Sequence, residues 1–132
     1  MLSLGKIDLS IYRCVTPDIV TDEVILTDER ISHIRERHPG HFEAVFPFLP
    51  FAIQSPDYIL EDTPSTGLIL KMIETSGLRF QVVLRIRTSP DPEGYKNSVL
   101  SAWKISERRW NNYIKNKKFF TKGNKSGILY IE

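Results

Sequence analysis

The run Leu78-Arg79-Phe80-Gln81-Val82-Val83-Leu84-Arg85-Ile86-Arg87 alternates apolar and polar residues closely enough to predict a β-strand. Successive side chains on a strand point to opposite faces. Phe80, Val82, Leu84 and Ile86 therefore form one face, and Arg79, Gln81, Arg85 and Arg87 form the other, with Val83 the one apolar residue among them. The first face suits a core. The second carries guanidinium groups that could hold a phosphate-bearing ligand against a rigid sheet.

Upstream, Ser76-Gly77 makes a turn back into Leu68 to Ile73, so these two strands are expected to form an antiparallel hairpin. On that partner strand Leu68, Leu70 and Met72 share a face, and Lys71 lies with Ile69 and Ile73 on the other. Downstream, Thr88 to Lys96 contains Pro90, Pro92 and Gly94 and reads as a loop. Asn97 to Lys104 is the next strand. Ser106 can cap a last helix whose Trp110, Tyr113 and Ile114 make the buried side, and its end is basic, with Lys115, Lys117, Lys118 and Lys122. Phe119-Phe120 is expected to pack down and Ile128 to Ile131 to close the sheet as a strand.

The first half of the chain reads differently. Ile7 to Val15 alternates as a short strand or extended arm, ended by Thr16-Pro17-Asp18. Val24-Ile25-Leu26 leads into Thr27, which is placed to cap a helix opening with Asp28 and Glu29 and stopping at Pro39-Gly40. Ile31, Ile34 and His38 share one face of that helix, and Arg30, His33 and Arg37 share a neighbouring one. Phe42, Val45, Phe46, Leu49 and Ile53 keep a helical period that Pro47 and Pro50 interrupt, which predicts two short helices. Tyr58-Ile59-Leu60 is a short strand after Ser55-Pro56-Asp57, and Asp62 to Gly67 a polar loop.

The expected fold is α+β: an N-terminal strand or arm (1–26), helices (27–54) packed on an antiparallel sheet of about four strands (58–104), then a C-terminal helix and basic tail (106–132). A length of 132 residues fits one domain. With 41% apolar and 26% charged residues the composition is that of an ordinary globular protein. No apolar run approaches a membrane span, and the N-terminus lacks a signal-peptide pattern, so a cytoplasmic location is expected. The single Cys14 has no internal disulfide partner and reads as a small core residue.

Net charge is split along the chain. Residues 1–66 carry 5 Lys and Arg against 11 Asp and Glu, and residues 67–132 carry 13 against 5, so the halves stand at −6 and +8 around a total of +2. A basic second half favours a polyanionic partner such as nucleic acid.

Motifs for phosphate loops, zinc proteases and serine hydrolases are absent. A metal site built from His33, His38 and His41 is disfavoured, because 33 and 38 lie about 140° apart around a helix. The remaining chemistry-bearing groups are His38, Lys71, Arg85, Arg87, Asn97 and Ser101, with Ser98 replacing Ser101 if the last strand is shifted or bulged. These suit metal-independent RNA cleavage. The substrate supplies its own 2′-hydroxyl as nucleophile, a histidine moves protons, and Lys and Arg neutralise the phosphorane oxygens.

The runs Ile-Leu-Thr-Asp-Glu-Arg-Ile-Ser-His-Ile-Arg-Glu-Arg-His-Pro (25–39), Ser-Pro-Asp-Tyr-Ile (55–59) and Asn-Ser-Val-Leu-Ser-Ala-Trp-Lys-Ile (97–105), with the Lys71 and Arg85 strands, carry a resemblance. In this order they resemble the phage-associated branch of the barnase, EndoU, colicin and RelE nuclease superfamily, from about Leu4 to Lys118. The resemblance implies a small α+β domain of prophage origin, sometimes fused to head-morphogenesis proteins, that acts as an RNase or toxin-like nuclease. It places His38, Lys71, Arg85 and Ser101 as catalytic residues, with serine where the family pattern often has threonine.

Arg87, Asn97, Ser98, His33, Lys115 and Lys117 are expected to bind substrate, and Lys118 to add a peripheral phosphate contact. The expected partner is RNA, tRNA or mRNA, with an immunity or antitoxin protein or a phage head protein as further partners, and no cofactor. Two alternatives remain open: a non-catalytic RNA- or ribosome-binding module, and a phage structural accessory.

Overall fold

The hairpin predicted around Ser76-Gly77 forms as read, and it lies inside a larger sheet than expected. The computed structural model describes residues 1–116 and the backbone of residues 119–122. Six strands lie between Leu2 and Lys104: β1 Leu2–Lys6, β2 Glu23–Leu26, β3 Tyr58–Glu61, β4 Thr66–Ile73, β5 Leu78–Arg85 and β6 Asn97–Lys104. A further strand, β7 Phe119–Lys122, extends one edge, and the order across the sheet is β1-β2-β6-β5-β4-β3-β7. The expectation of about four strands was low, because β1 and β2 come from the stretch read as an arm. The sheet is also mixed. β2 runs parallel to β6, with Val24 opposite Asn97 and Ile25 opposite Ser98, while the other pairings are antiparallel.

The helices are α1 Leu9–Tyr12, α2 Asp28–Arg37, α3 His41–Val45, α4 Leu49–Gln54 and α5 Glu107–Asn116. α2 starts as the sequence predicts, with Thr27 Oγ1 accepting the Arg30 N–H at 3.2 Å, and α5 starts with Ser106 Oγ accepting the Arg109 N–H at 3.0 Å. Pro50 falls in the first turn of α4 and Pro47 in a 3-10 turn, Phe46–Phe48, so the two prolines divide the helical period into three pieces instead of two. Strand β4 begins at Thr66, inside the stretch read as a loop.

The reading of Ile7 to Val15 as a strand is corrected. Asp8 accepts the Ser10 N–H at 2.9 Å and starts the single-turn helix α1. Tyr12 then becomes fully buried and donates to the Ile53 carbonyl at 2.6 Å, while Leu9 stays exposed. The alternation of Ile7, Leu9 and Ile11 was therefore not the buried pattern.

The main core lies between one face of the sheet and the first-half helices. Phe80, Val82, Leu84, Ile59, Ile69, Val99 and Ala102 meet Ile34, Phe42, Val45, Leu49, Ala52 and Ile53 there. Burying each such aliphatic or aromatic side chain contributes about 1.5–3 kcal/mol. Cys14 packs against this core and donates to the Ile11 carbonyl, and burial pushes its thiol up to about 11.

The other face is not a bare cationic surface. α5 lies on part of it, packing Trp110, Tyr113 and Ile114 against Leu60, Leu68, Leu70 and Val83. Under this helix Gln81 is buried and accepts the Tyr113 hydroxyl at 2.9 Å, and Arg79 pairs with Glu107 at 3.3 Å. Lys117, Lys118 and the strand expected at Ile128 to Ile131 lie outside the described residues, as do the side chains of Phe119 and Phe120. Among the described residues no helix is long and apolar enough to cross a membrane.

Candidate functional site

The part of this second face that α5 leaves uncovered follows from the β5–β6 register. Gln81 stands opposite Trp103, Val83 opposite Ser101 and Arg85 opposite Ser98, with a bulge at Leu100 between the last two pairs. Directly opposed residues of an antiparallel pair project to the same side. Without the bulge only one of the two serines would share the Arg85 face. The extra residue brings both there. Trp103, Ser101, Ser98 and Arg85 thus follow one another along a strip.

His38 joins the strip at its Trp103 end. β2 pairs with β6 only at Asn97 and Ser98, and the α2–α3 corner takes up the edge of β6 beyond them. There the Lys104 N–H donates to His41 Nδ1 at 3.0 Å. The His38 ring stacks on the Trp103 indole, with centroids 4.2 Å apart and planes 13° from parallel, and the His41 ring lies 5.6 Å away. Gly40 makes the corner possible with φ of +81°, a conformation strained for any residue with a Cβ.

Both imidazoles are held neutral more strongly than a free histidine. Burial is the main cause of the lowered His38 pKa, followed by the charges of Arg37 and His33. For His41 burial again leads, followed by Lys104 and His38. Because His41 Nδ1 accepts a hydrogen bond, its neutral ring carries the proton on Nε2.

At the opposite end Arg85 donates to the Ile86 carbonyl and pairs with Asp91 at 3.0 Å. Asp91 also accepts the Thr88 N–H at 2.8 Å, and this bond, with Arg85, holds its carboxyl below the usual range. Arg87 has left the strand and donates to the Asp91 and Pro92 carbonyls, both at 3.1 Å. From the Gln81–Trp103 pair to Arg85 is four residues of strand, or roughly 13 Å.

Two expected members of the site are elsewhere. Lys71 stands opposite Phe80 and so projects to the core side. It is 4% exposed, and its Nζ donates to the Ser55 carbonyl at 2.5 Å, pairs with Asp57 at 3.3 Å and lies 4.1 Å from the Phe51 ring centre. Ser55 is the C-cap of α4, so Lys71 acts as a cation on a helix C-terminus. The grouping of Lys71 with Arg85 is therefore corrected.

Asn97 is fully buried. It accepts the Arg87 N–H at 2.8 Å and donates to the Thr21 carbonyl at 2.7 Å, which uses it to fasten the loop after β5 to the segment before β2. It is not available to a ligand. His33 is half-buried on α2, and Lys115 is exposed on the outer side of α5 with Arg108 and Arg109. Among the described residues no three His, Cys, Asp or Glu side chains converge on a point suited to a metal ion.

Trp103 and Asp91 were not singled out in the sequence, and His41 was weighed there only as a metal ligand. Trp103 was the most accessible of these, since it is two residues from Ser101 and a strand places such residues on one face. No curated protein and no solved structure matches the chain. Residues 3–121 do match the family described as phage-Barnase-EndoU-ColicinE5/D-RelE like nuclease2, and since the match spans most of the chain, the protein belongs to that nuclease family.

Proposed function

We propose that the protein is a metal-independent endoribonuclease that works on the strip from His38 and Trp103 to Arg85. The observation that supports this most is the neutral His38 imidazole stacked on Trp103, at the open end of a sheet face carrying Ser101, Ser98 and Arg85 in register.

In this reading a nucleobase stacks at the Trp103 end, and His38 removes the proton from the neighbouring 2′-hydroxyl. The 2′-oxygen attacks phosphorus, the bond from phosphorus to the 5′-oxygen breaks, and that oxygen takes a proton, delivered back by the His38 imidazolium. The products are a 2′,3′-cyclic phosphate and a 5′-hydroxyl. Ser101 and Ser98 position the phosphate by hydrogen bonds, and Arg85, once exchanged from Asp91, holds a neighbouring phosphate further along the strand. His41 offers its Nε2–H to the reacting phosphate. Lys115 supplies a peripheral contact, while Lys71 supports the fold.

The test is incubation of unstructured RNA with the protein in chelator, followed by analysis of the ends. Cyclic phosphate and 5′-hydroxyl ends are expected. Cleavage abolished by chelator and restored by a divalent metal would overturn the mechanism.

The closure of Arg85 on Asp91 favours one other reading, a module that binds RNA on the same strip without turnover. Salt-sensitive binding with the RNA left intact would establish that reading instead.

A further inference from the structure

Beside the Arg85 end of the strip, the loop 88–96 encloses a cavity of about 200 Å³ lined by Arg85, Arg87, Asp91, Tyr95, Lys96 and Ser98. Three cations face one carboxylate there, so the lining is suited to an anion. Arg85 and Lys96 are held by counter-ions, Asp91 at 3.0 Å and Glu23 at 2.7 Å. The Lys96–Glu23 pair lies at the surface, where an ion pair is worth little, and the Arg85–Asp91 pair is half-buried but reaches solvent at this cavity, so both cations can be offered to another anion. Arg87 leaves its buried Nε without an acceptor.

Tyr95 is 61% exposed at this cavity, and its backbone N–H is tied to the Pro92 carbonyl at 3.2 Å. A large aromatic ring left in solvent beside cations matches how single-stranded nucleic acid is held: cations follow the backbone, and bases stack on aromatic faces.

We infer that this cavity is a second nucleotide subsite, taking a backbone phosphate beside Arg85 and Lys96 and the attached base on the Tyr95 ring. The inference rests on the RNA reading of the neighbouring strip and extends it along the strand. The two ends of the strip are roughly 13 Å apart. At a stacked spacing of roughly 3.4 Å per nucleotide, a hexanucleotide spans both ends.

The test uses the full chain and a 2′-O-methyl hexanucleotide, which lacks the attacking hydroxyl and stays intact. Affinity is measured across a salt series for the wild type, Tyr95→Ala and Tyr95→Phe. Tyr95→Ala is expected to weaken binding by about fivefold or more, Tyr95→Phe to retain wild-type affinity, and all three to share one salt slope because no charge is removed. Wild-type affinity in Tyr95→Ala, or an equal loss in Tyr95→Phe, would overturn the stacking subsite while leaving the RNA reading in place. If the wild type binds no hexanucleotide at all, the RNA reading itself fails, and the subsite with it.

Discussion

Lys71 and Arg85 stand on adjacent strands of one hairpin, and both were expected to touch the same phosphate. Their surroundings are opposite. Lys71 lies opposite Phe80 on the packed face, and its ammonium is occupied by Ser55, Asp57 and the Phe51 ring. Arg85 lies opposite Ser98 on the other face, past the end of the α5 cover, with a half-buried ion pair that reaches solvent. Strand adjacency does not make two cations into a site. Register parity decides the face, and the packing on that face decides whether the charge is available.

The largest effect that would separate the two regions is catalytic. His38→Ala should lower RNA cleavage by about 10²- to 10⁴-fold, with RNA affinity and melting temperature close to wild type. A large fall in melting temperature with proportional loss of binding would instead make His38 a packing residue.

Next comes the opposite corner. Lys71→Met keeps the apolar stem but leaves Asp57, whose side chain is about a third exposed, without its ammonium, and should cost about 2 kcal/mol in denaturant unfolding, below the range for a fully buried pair that loses one partner. Asp57 keeps its bond from the Met72 N–H. RNA affinity should be unchanged in the folded variant. Weakened affinity at full stability would return Lys71 to the binding surface.

Asn97→Ala removes an acceptor from the Arg87 N–H and a donor from the Thr21 carbonyl. A destabilisation of roughly 2 kcal/mol is expected, and an unchanged unfolding midpoint would contradict the role given to this side chain.

The smallest effects concern the histidine corner. Gly40→Ala should cost about 1 kcal/mol by forcing a Cβ into a left-handed backbone, with cleavage lowered as His38 and His41 shift. Stability should also depend on pH. Both histidines have folded pKa values below the ordinary value of about 6.5, so the unfolded chain binds protons more readily. Their contribution is complete above that value and is lost as pH falls through the depressed folded values. Unfolding midpoints measured between about pH 7 and 5 should therefore decline, and His41→Gln should flatten part of the decline.

Much of the fold was legible in the sequence. The Phe80, Val82, Leu84 and Ile86 alternation, the Thr27 and Ser106 caps, the Ser76-Gly77 turn and the Trp110, Tyr113 and Ile114 stripe all hold in the structure. What failed was non-local. The parallel β2–β6 pairing joins segments more than seventy residues apart, and no local pattern signals it. The placement of α5 over Gln81 likewise depends on tertiary packing.

The candidate site was legible as a set of residue types and less so as an arrangement. Lys71 could have been placed by counting through the hairpin turn to Phe80. The β6 bulge that aligns Ser98 with Ser101 was foreseen only as an alternative. The stacking of His38 on Trp103 needs the bare edge of β6, which follows from how short β2 is.

The proposed RNA path is tested most directly by a side-chain and amide chemical-shift titration with a non-cleavable 2′-O-methyl oligonucleotide. The expected result is a set of perturbations on Trp103, Ser101, Ser98, the His38 and His41 rings and the Arg85 guanidinium, with Phe51, Asp57 and Lys71 unmoved. Shifts centred on the Phe51, Asp57 and Lys71 corner, with the Trp103 indole unaffected, would contradict it.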